Sequence, residues 1–213
     1  MKKVAIIGGT GNGLVVAQII LDLIASGEDY QISGFLNDHL EKGTPIGRWQ
    51  VIAKPDQWDT LPADTLFMPA ILSVGKMRER AAKLKSLNIP RERWVTLVHP
   101  TCNIGFDCEI GKGVAICAHA TLQPGSRVGD YGIIRAGANI GHDVVVGDYV
   151  DIGPNTTLCG YAKIDEGVQV APNAVIRDNV TVGQYATIAA GAAIFKQVPA
   201  FATFLGNPAR RIR

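Results

Sequence analysis

Residues 140–164, IGHDVVVGDYVDIGPNTTLCGYAKI, carry an aliphatic side chain at every sixth position: Ile140, Val146, Ile152, Leu158 and Ile164. Followed outward, the spacing holds without a slip from Ile104 to Ile194, sixteen positions in all. Four residues after each stands a small or β-branched residue, such as Val144, Val150, Thr156 and Ala162. A helix needs apolar residues at three- and four-residue spacing, and a half-exposed strand needs period two. Period six fits a short strand plus a tight corner, repeated as a parallel β-helix. The aliphatic residue then points into a prism and the small one fits under the corner. The glycine that often follows the aliphatic residue (Gly105, Gly111, Gly129, Gly141, Gly147, Gly153, Gly183) is expected to turn the chain. Three faces make a coil of about eighteen residues, so the run holds roughly five coils, with residues one coil apart stacked at the same height.

The first half has a different rhythm. Val4–Ile7 is an apolar run ending in GGTGNG (8–13), and residues 14–24 show helical spacing. Residues 30–36 alternate like a strand, 65–74 form another apolar run, 77–87 are amphipathic, and 94–98 read as a last strand. Strands alternating with helices predict a small parallel sheet flanked by helices. His99-Pro100 marks a boundary, because the residue before Pro is pushed out of helical geometry. The reading is therefore an α/β, Rossmann-like domain over 1–98, a β-helix over 99–198 and a loop-like tail over 199–213.

Composition narrows the function classes. The net charge of +2 is too small to argue for nucleic acid or a membrane surface. No apolar run approaches the roughly 18 residues of a membrane span, and the N-terminus lacks the apolar region of a signal peptide. A cytoplasmic protein is expected, with Cys102, Cys108, Cys117 and Cys159 as thiols, mostly buried. No pair of His residues has metal-ligand spacing, so no metal is expected.

Two places can carry chemistry. Gly8, Gly9, Gly11 and Gly13 lie between a strand and a helix, where backbone approaches a ligand closely and the helix N-terminus favours phosphate. Their spacing is not that of a dinucleotide fingerprint. The strand ending at Leu36 delivers Asn37 and Asp38 beside this loop, where such folds hold a ribose or similar polar group. In the second half, His142 follows the inward Ile140 by two residues and faces outward, and the residue one coil later is Gly160. A missing side chain beside a His opens a slot and exposes a backbone N–H, and Asp143 is placed to orient the imidazole. His39, His99 and His119 lack such a setting. Arg210, Arg211 and Arg213 form a basic cluster that is either a solubilising tail or a partner for cofactor phosphates.

Taken together, GGTGNGLV (8–15), FLND (35–38), SVGKMRER (73–80), GHDVVVGDYVDIGP (141–154) and FLGNPARRI (204–212) resemble the bacterial nucleotide-sugar acyltransferases. This sialic acid O-acetyltransferase-like group includes N-acetyltransferases of UDP-linked 4-amino-4,6-dideoxy sugars and of GDP-perosamine. The resemblance implies a homotrimer of left-handed β-helices, with acetyl-CoA in the groove between prisms. It also implies acetyl transfer to the 4-amino group of a nucleotide-linked sugar for polysaccharide biosynthesis. The family's general base falls on His142 and its acidic partner on Asp143. The acetyl-CoA contacts fall on Asp151, Gly160, Pro172 and Ala190, and the nucleotide-sugar contacts on Thr10, Gly11, Asn12, Asn37, Asp38 and Gly75. Relatives often carry His where this chain has Asn12, and some carry His in place of Asp151. The other readings are O-acetylation of a sialic-acid-like sugar and a non-catalytic, nucleotide-sugar-binding trimeric β-helix.

Overall fold

A computed structural model describes residues 1–213. The first element, β1 (Lys2–Ile7), buries its apolar residues Val4–Ile7 completely. It leads through the glycine loop into α1 (Asn12–Ala25), whose buried face is Val16, Ala17, Ile19, Ile20 and Leu23. Strand β2 (Tyr30–Leu36) follows, then a short hairpin of β3 (Pro45–Ile46) and β4 (Trp49–Ala53), then β5 (Leu66–Pro69) and α2 (Met77–Ser86). The sheet order is β3-β4-β2-β1-β5, with β4, β2, β1 and β5 parallel and β3 an antiparallel edge. The hairpin had no sequence signal of its own, because its two strands are short and bracket Gly47.

The expected last strand over 94–98 is split. Trp94 bridges to Phe67 beside the first sheet. Leu97–Val98 instead pairs with Ala115–Ile116 and forms the first rung of the second half. From there two-residue strands repeat at six-residue intervals and pair in parallel with the strand eighteen residues on, as in Asn139↔Thr157 and Ile140↔Leu158. They build three sheets around one apolar core that contains Ile116, Leu122, Ile134, Ile140, Ile152, Leu158 and their successors, all essentially inaccessible. Ile104, in the opening coil, is an exception at 36% exposed, because no coil stacks beneath it.

The structure corrects the role expected for the corner glycines. Positive φ falls three residues after the aliphatic position, at residues such as Asp107, Tyr131, Asp143, Asn155, Tyr161 and Asn179. Asn and Asp tolerate this left-handed conformation, and the corner geometry imposes it on the tyrosines. The glycine directly after the aliphatic residue is needed for close approach instead. A Cβ on Gly141 would lie 2.7 Å from the Leu158 carbonyl oxygen, and one on Gly153 would lie 2.7 Å from backbone atoms of Ala171 and Pro172.

The C-terminal segment is not a loop. Thr203–Gly206 pairs in parallel with Thr187–Ile188 and turns back antiparallel as Ala209–Arg211. One sheet of the prism, which includes the rung at Leu97–Val98, also packs on the N-terminal half. Ala115, Cys117 and Ile133 share a core with Val16, Ile20 and Phe35. A stack of tyrosines along one corner, Tyr131 on Tyr149 at 5.0 Å between centroids, meets Trp94 at 5.1 Å. Lys85 of α2 adds a 2.7 Å ion pair to Glu166.

Candidate active site

His142 stands on the corner Gly141–Val144, half exposed. Its Nδ1 is 2.9 Å from Asp143 Oδ2. A charge-assisted hydrogen bond of this length holds the imidazole in one orientation, with Nε2 making no hydrogen bond within the chain. The ring overlies Gly160, and a Cβ there would be 2.5 Å from Nε2 and 2.7 Å from Cε1. A larger residue at 160 would have to displace the imidazole from this seat. The Tyr161 ring meets the imidazole edge-on at 4.9 Å, and the Tyr161 N–H donates to the His142 carbonyl at 3.1 Å. The Gly160 N–H donates to no group of the chain. A base, its orienting carboxylate and an unengaged N–H therefore converge on one small patch.

The second candidate region is a cavity of about 240 Å³ at the C-terminal ends of β1, β2 and β5. Ligands of parallel sheets bind at this edge. Thr10, Asn12, Asn37 and Asp38 line it together with Gly8, Gly9, His39, Leu72, Ser73 and Arg80. Asn37 is also a pin for the cavity wall. Its Nδ2 donates to the Gly8 carbonyl at 2.8 Å, and its Oδ1 accepts from the His39 and Leu40 N–H groups. Asp38 faces Lys83 at 3.3 Å. Gly11, at φ 80°, turns the loop into α1 and does not line the cavity. Gly75, at φ 73°, lies in a separate depression before α2.

A half-buried guanidinium joins the halves of the chain. Arg135 holds Asp151 through two parallel bonds, Nε to Oδ1 at 2.7 Å and Nη2 to Oδ2 at 2.8 Å. Its Nη1 donates to Asn12 Oδ1 at 3.1 Å, while Asn12 Nδ2 donates to the Leu72 carbonyl at 2.8 Å. The hydrogen bonds to Asp151 raise the Arg135 pKa against the opposing effect of burial, so the guanidinium stays charged. Asn12 and Asp151, the two departures from the family pattern, are thus partners of one arginine. Nearby Cys117 is buried, which pushes its thiol up to about 11 and keeps it protonated.

The structure places the remaining expected contacts apart from His142. Asp151, 3% exposed, sits on the sheet turned to the N-terminal half with both oxygens engaged. Pro172 and Ala190 are exposed, one coil apart, on the corner that follows that sheet rather than on the His142 corner. Arg210 and Arg211 line a depression of about 440 Å³ beside Phe195 and Lys196 at the last coil. His99 is a joint between the halves, with Nε2 3.0 Å from Asp22 of α1. No group of His, Cys, Asp and Glu side chains gathers as metal ligands, and no helix is long and apolar enough to cross a membrane.

Comparison with known proteins agrees with this architecture. The family model for the bacterial transferase hexapeptide (six repeats) matches residues 161–196. The acetyltransferase domain of PglB from Neisseria gonorrhoeae FA1090, solved in complex with acetyl coenzyme A, is 30% identical, with 99% of each chain covered and a TM-score of 0.84. The chain belongs to the bacterial hexapeptide-repeat transferases, which implies a left-handed coil. PerB from Caulobacter crescentus, in complex with CoA and GDP-perosamine, shares the fold at 24% identity and a TM-score of 0.83, covering 99% of this chain and 97% of its own. UDP-N-acetylbacillosamine N-acetyltransferase from Bacillus subtilis (strain 168) is 29% identical over 122 residues, which is 55% of this chain. That match spans about half of the curated relative, 52% of its length.

Proposed function

We propose that this protein transfers the acetyl group of acetyl-CoA to the 4-amino group of a nucleotide-linked 4-amino-4,6-dideoxy sugar. His142 is the general base. The observation that carries the reading is the His142 imidazole seated over Gly160 with Nδ1 bonded to Asp143 at 2.9 Å. With the Nδ1 proton donated to Asp143, the Nε2 lone pair is the basic site. The neutral amine attacks the thioester carbonyl, forming the C–N bond as the carbonyl π pair moves onto oxygen, and collapse of this tetrahedral intermediate then breaks the C–S bond. Nε2 takes the amine proton and can return it to the departing sulfur. The Gly160 N–H is the donor placed nearest this base for the oxyanion of the tetrahedral intermediate. No acyl-enzyme is required, since holding the two substrates together supplies much of the rate.

The Rossmann-like N-terminal domain, residues 1–98, binds the nucleotide sugar in the 240 Å³ cavity. Its last strand already serves as the coil's first rung. Residues 99–198 carry the acyl transfer and 199–213 close the coil. Asp151 is buried against the N-terminal half with both oxygens held by Arg135, whereas His142 with Gly160 and Pro172 with Ala190 occupy two different exposed corners of one prism. A single acetyl-CoA meeting these sites fits a groove between adjacent copies, which supports a homotrimer. The named activity of the Bacillus subtilis relative supports N-acetyl transfer, and we place the reaction in the cytoplasm, in polysaccharide biosynthesis.

The reading is tested by CoA release from acetyl-CoA with UDP-, GDP- and dTDP-linked 4-amino sugars, beside a free sialic-acid-like sugar with only hydroxyl acceptors. Turnover confined to the amino nucleotide sugars is expected. Turnover of the hydroxyl acceptor alone, or of none, contradicts it.

A further inference from the structure

We infer that Arg80 is the residue that binds the diphosphate of the substrate. This inference rests on the nucleotide-sugar reading of the N-terminal cavity. Met77, Ala81 and Leu84 are the buried residues of α2, and Leu87 just beyond it is buried too. Positions 77, 80, 81, 84 and 87 form one helical stripe at the spacing of a core-facing side. Arg80 therefore occupies a place where an apolar residue would pack. A charge set into the apolar stripe of a helix costs stability unless it is paired or has work to do.

Arg80 is not paired. Its guanidinium makes no hydrogen bond and no ion pair with any group of the chain, and its Nε is shielded from solvent without a partner. By contrast, the half-buried Arg135 is fully engaged by Asp151 and Asn12. Arg80 lines the glycine-loop cavity, where the other permanent charge among the lining residues is Asp38. That carboxylate already faces Lys83, one turn further along the same helix. The positive charge of Arg80 is thus left to whatever enters the cavity.

In the same cavity, the N–H groups of Gly9 and Thr10 donate to no acceptor in the chain. A planar guanidinium lining the same cavity as unengaged backbone N–H groups suits a ligand with several anionic oxygens on adjacent centres. A nucleoside diphosphate linkage has that form. It also places the sugar beyond the diphosphate, leaving Asp38 and the β2 end for the nucleoside.

The test compares wild type with Arg80→Met and Arg80→Lys. Calorimetry measures binding of UDP and GDP, of the corresponding nucleosides, and of free sialic acid as a carboxylate probe. Methionine suits the helical stripe, so the melting temperature of Arg80→Met should equal or exceed that of wild type. Its affinity for the nucleoside diphosphate bound by wild type should fall about ten- to a hundredfold, the scale of lost charged hydrogen bonds. Nucleoside affinity and the KM for acetyl-CoA should not change, and Arg80→Lys should recover part of the loss. The inference is overturned if Arg80→Met binds diphosphate like wild type. Equal loss of nucleoside and diphosphate, or loss confined to the carboxylate sugar, also overturns it. Failure of wild type to bind any nucleotide would instead remove the reading of the cavity on which it rests.

Discussion

The two halves of this chain put chemistry in place by different means. In the β-helix every side chain is located by counting: His142 and Gly160 meet because they are one coil, eighteen residues, apart. In the N-terminal half the cavity is gathered from three strand ends and a helix, and its pins span long separations. Asn37 reaches Gly8, Asn12 reaches Leu72, and Arg135 reaches back 123 residues to Asn12. A repeat scaffold is quasi-one-dimensional, each coil resting on its neighbours. The sheet domain is held by non-local contacts, so its cavity depends on groups that no local pattern announces. The proposed base thus sits on the part with a regular frame, and the proposed substrate cavity on the part with loops.

The largest stability effect should come from the middle of the coil. Ile152→Ala removes a fully buried ladder residue and should cost about 2–5 kcal/mol, whereas Ile104→Ala at the open end should cost under about 1 kcal/mol. Denaturant titration distinguishes the two, and equal losses would mean that the ladder does not act as a stacked core. Asp151→Ala, which leaves the half-buried Arg135 without its carboxylate, should cost about 3 kcal/mol. It should also raise the KM for the nucleotide sugar while sparing that for acetyl-CoA, because Arg135 also holds Asn12 at the cavity. A loss of stability with both KM values unchanged would show that the link does not reach the cavity.

Gly160→Ala should lower kcat about a hundredfold with little change in melting temperature, since the methyl group must displace the imidazole. Near-native turnover would show that the seat of His142 on Gly160 is incidental. The smallest effect belongs to Glu166, whose pKa is lowered first by Lys85 and then by Tyr185, against the opposing effect of burial. A depressed folded-state pKa contributes stability above the unfolded value, near 4.5, and that contribution disappears as pH falls through the folded value. Glu166→Gln should therefore lose under about 1 kcal/mol at neutral pH and nothing in acid. A constant difference between the two proteins across that range would contradict the pairing.

The sequence made the coil legible down to single residues, because period six fixes which side chains point inward and which stack. It misassigned the work of Gly141 and Gly153, since spacing alone cannot distinguish a turn from a close approach. The C-terminal strands escaped because the last coil is two residues short, with Val182 bridging Val198 and Thr187 pairing with Thr203. In the N-terminal half the glycine loop, Asn37 and Asp38 were legible as strand-end features. Arg80 was missed, although its position on the apolar stripe of α2 was a signal. The Asn12–Arg135–Asp151 link had none, because it joins residues whose proximity only the docking of the two halves creates.

The claim that this fold is an acetyltransferase working through His142 is met most directly by one kinetic comparison. Single-turnover CoA release is measured for wild type and His142→Ala, with both proteins folded to the same melting temperature and saturated with acetyl-CoA and the amino nucleotide sugar. Loss of a general base should slow the variant by about a hundred- to ten-thousandfold with the KM for acetyl-CoA little changed. Turnover within a few-fold of wild type would contradict the mechanism.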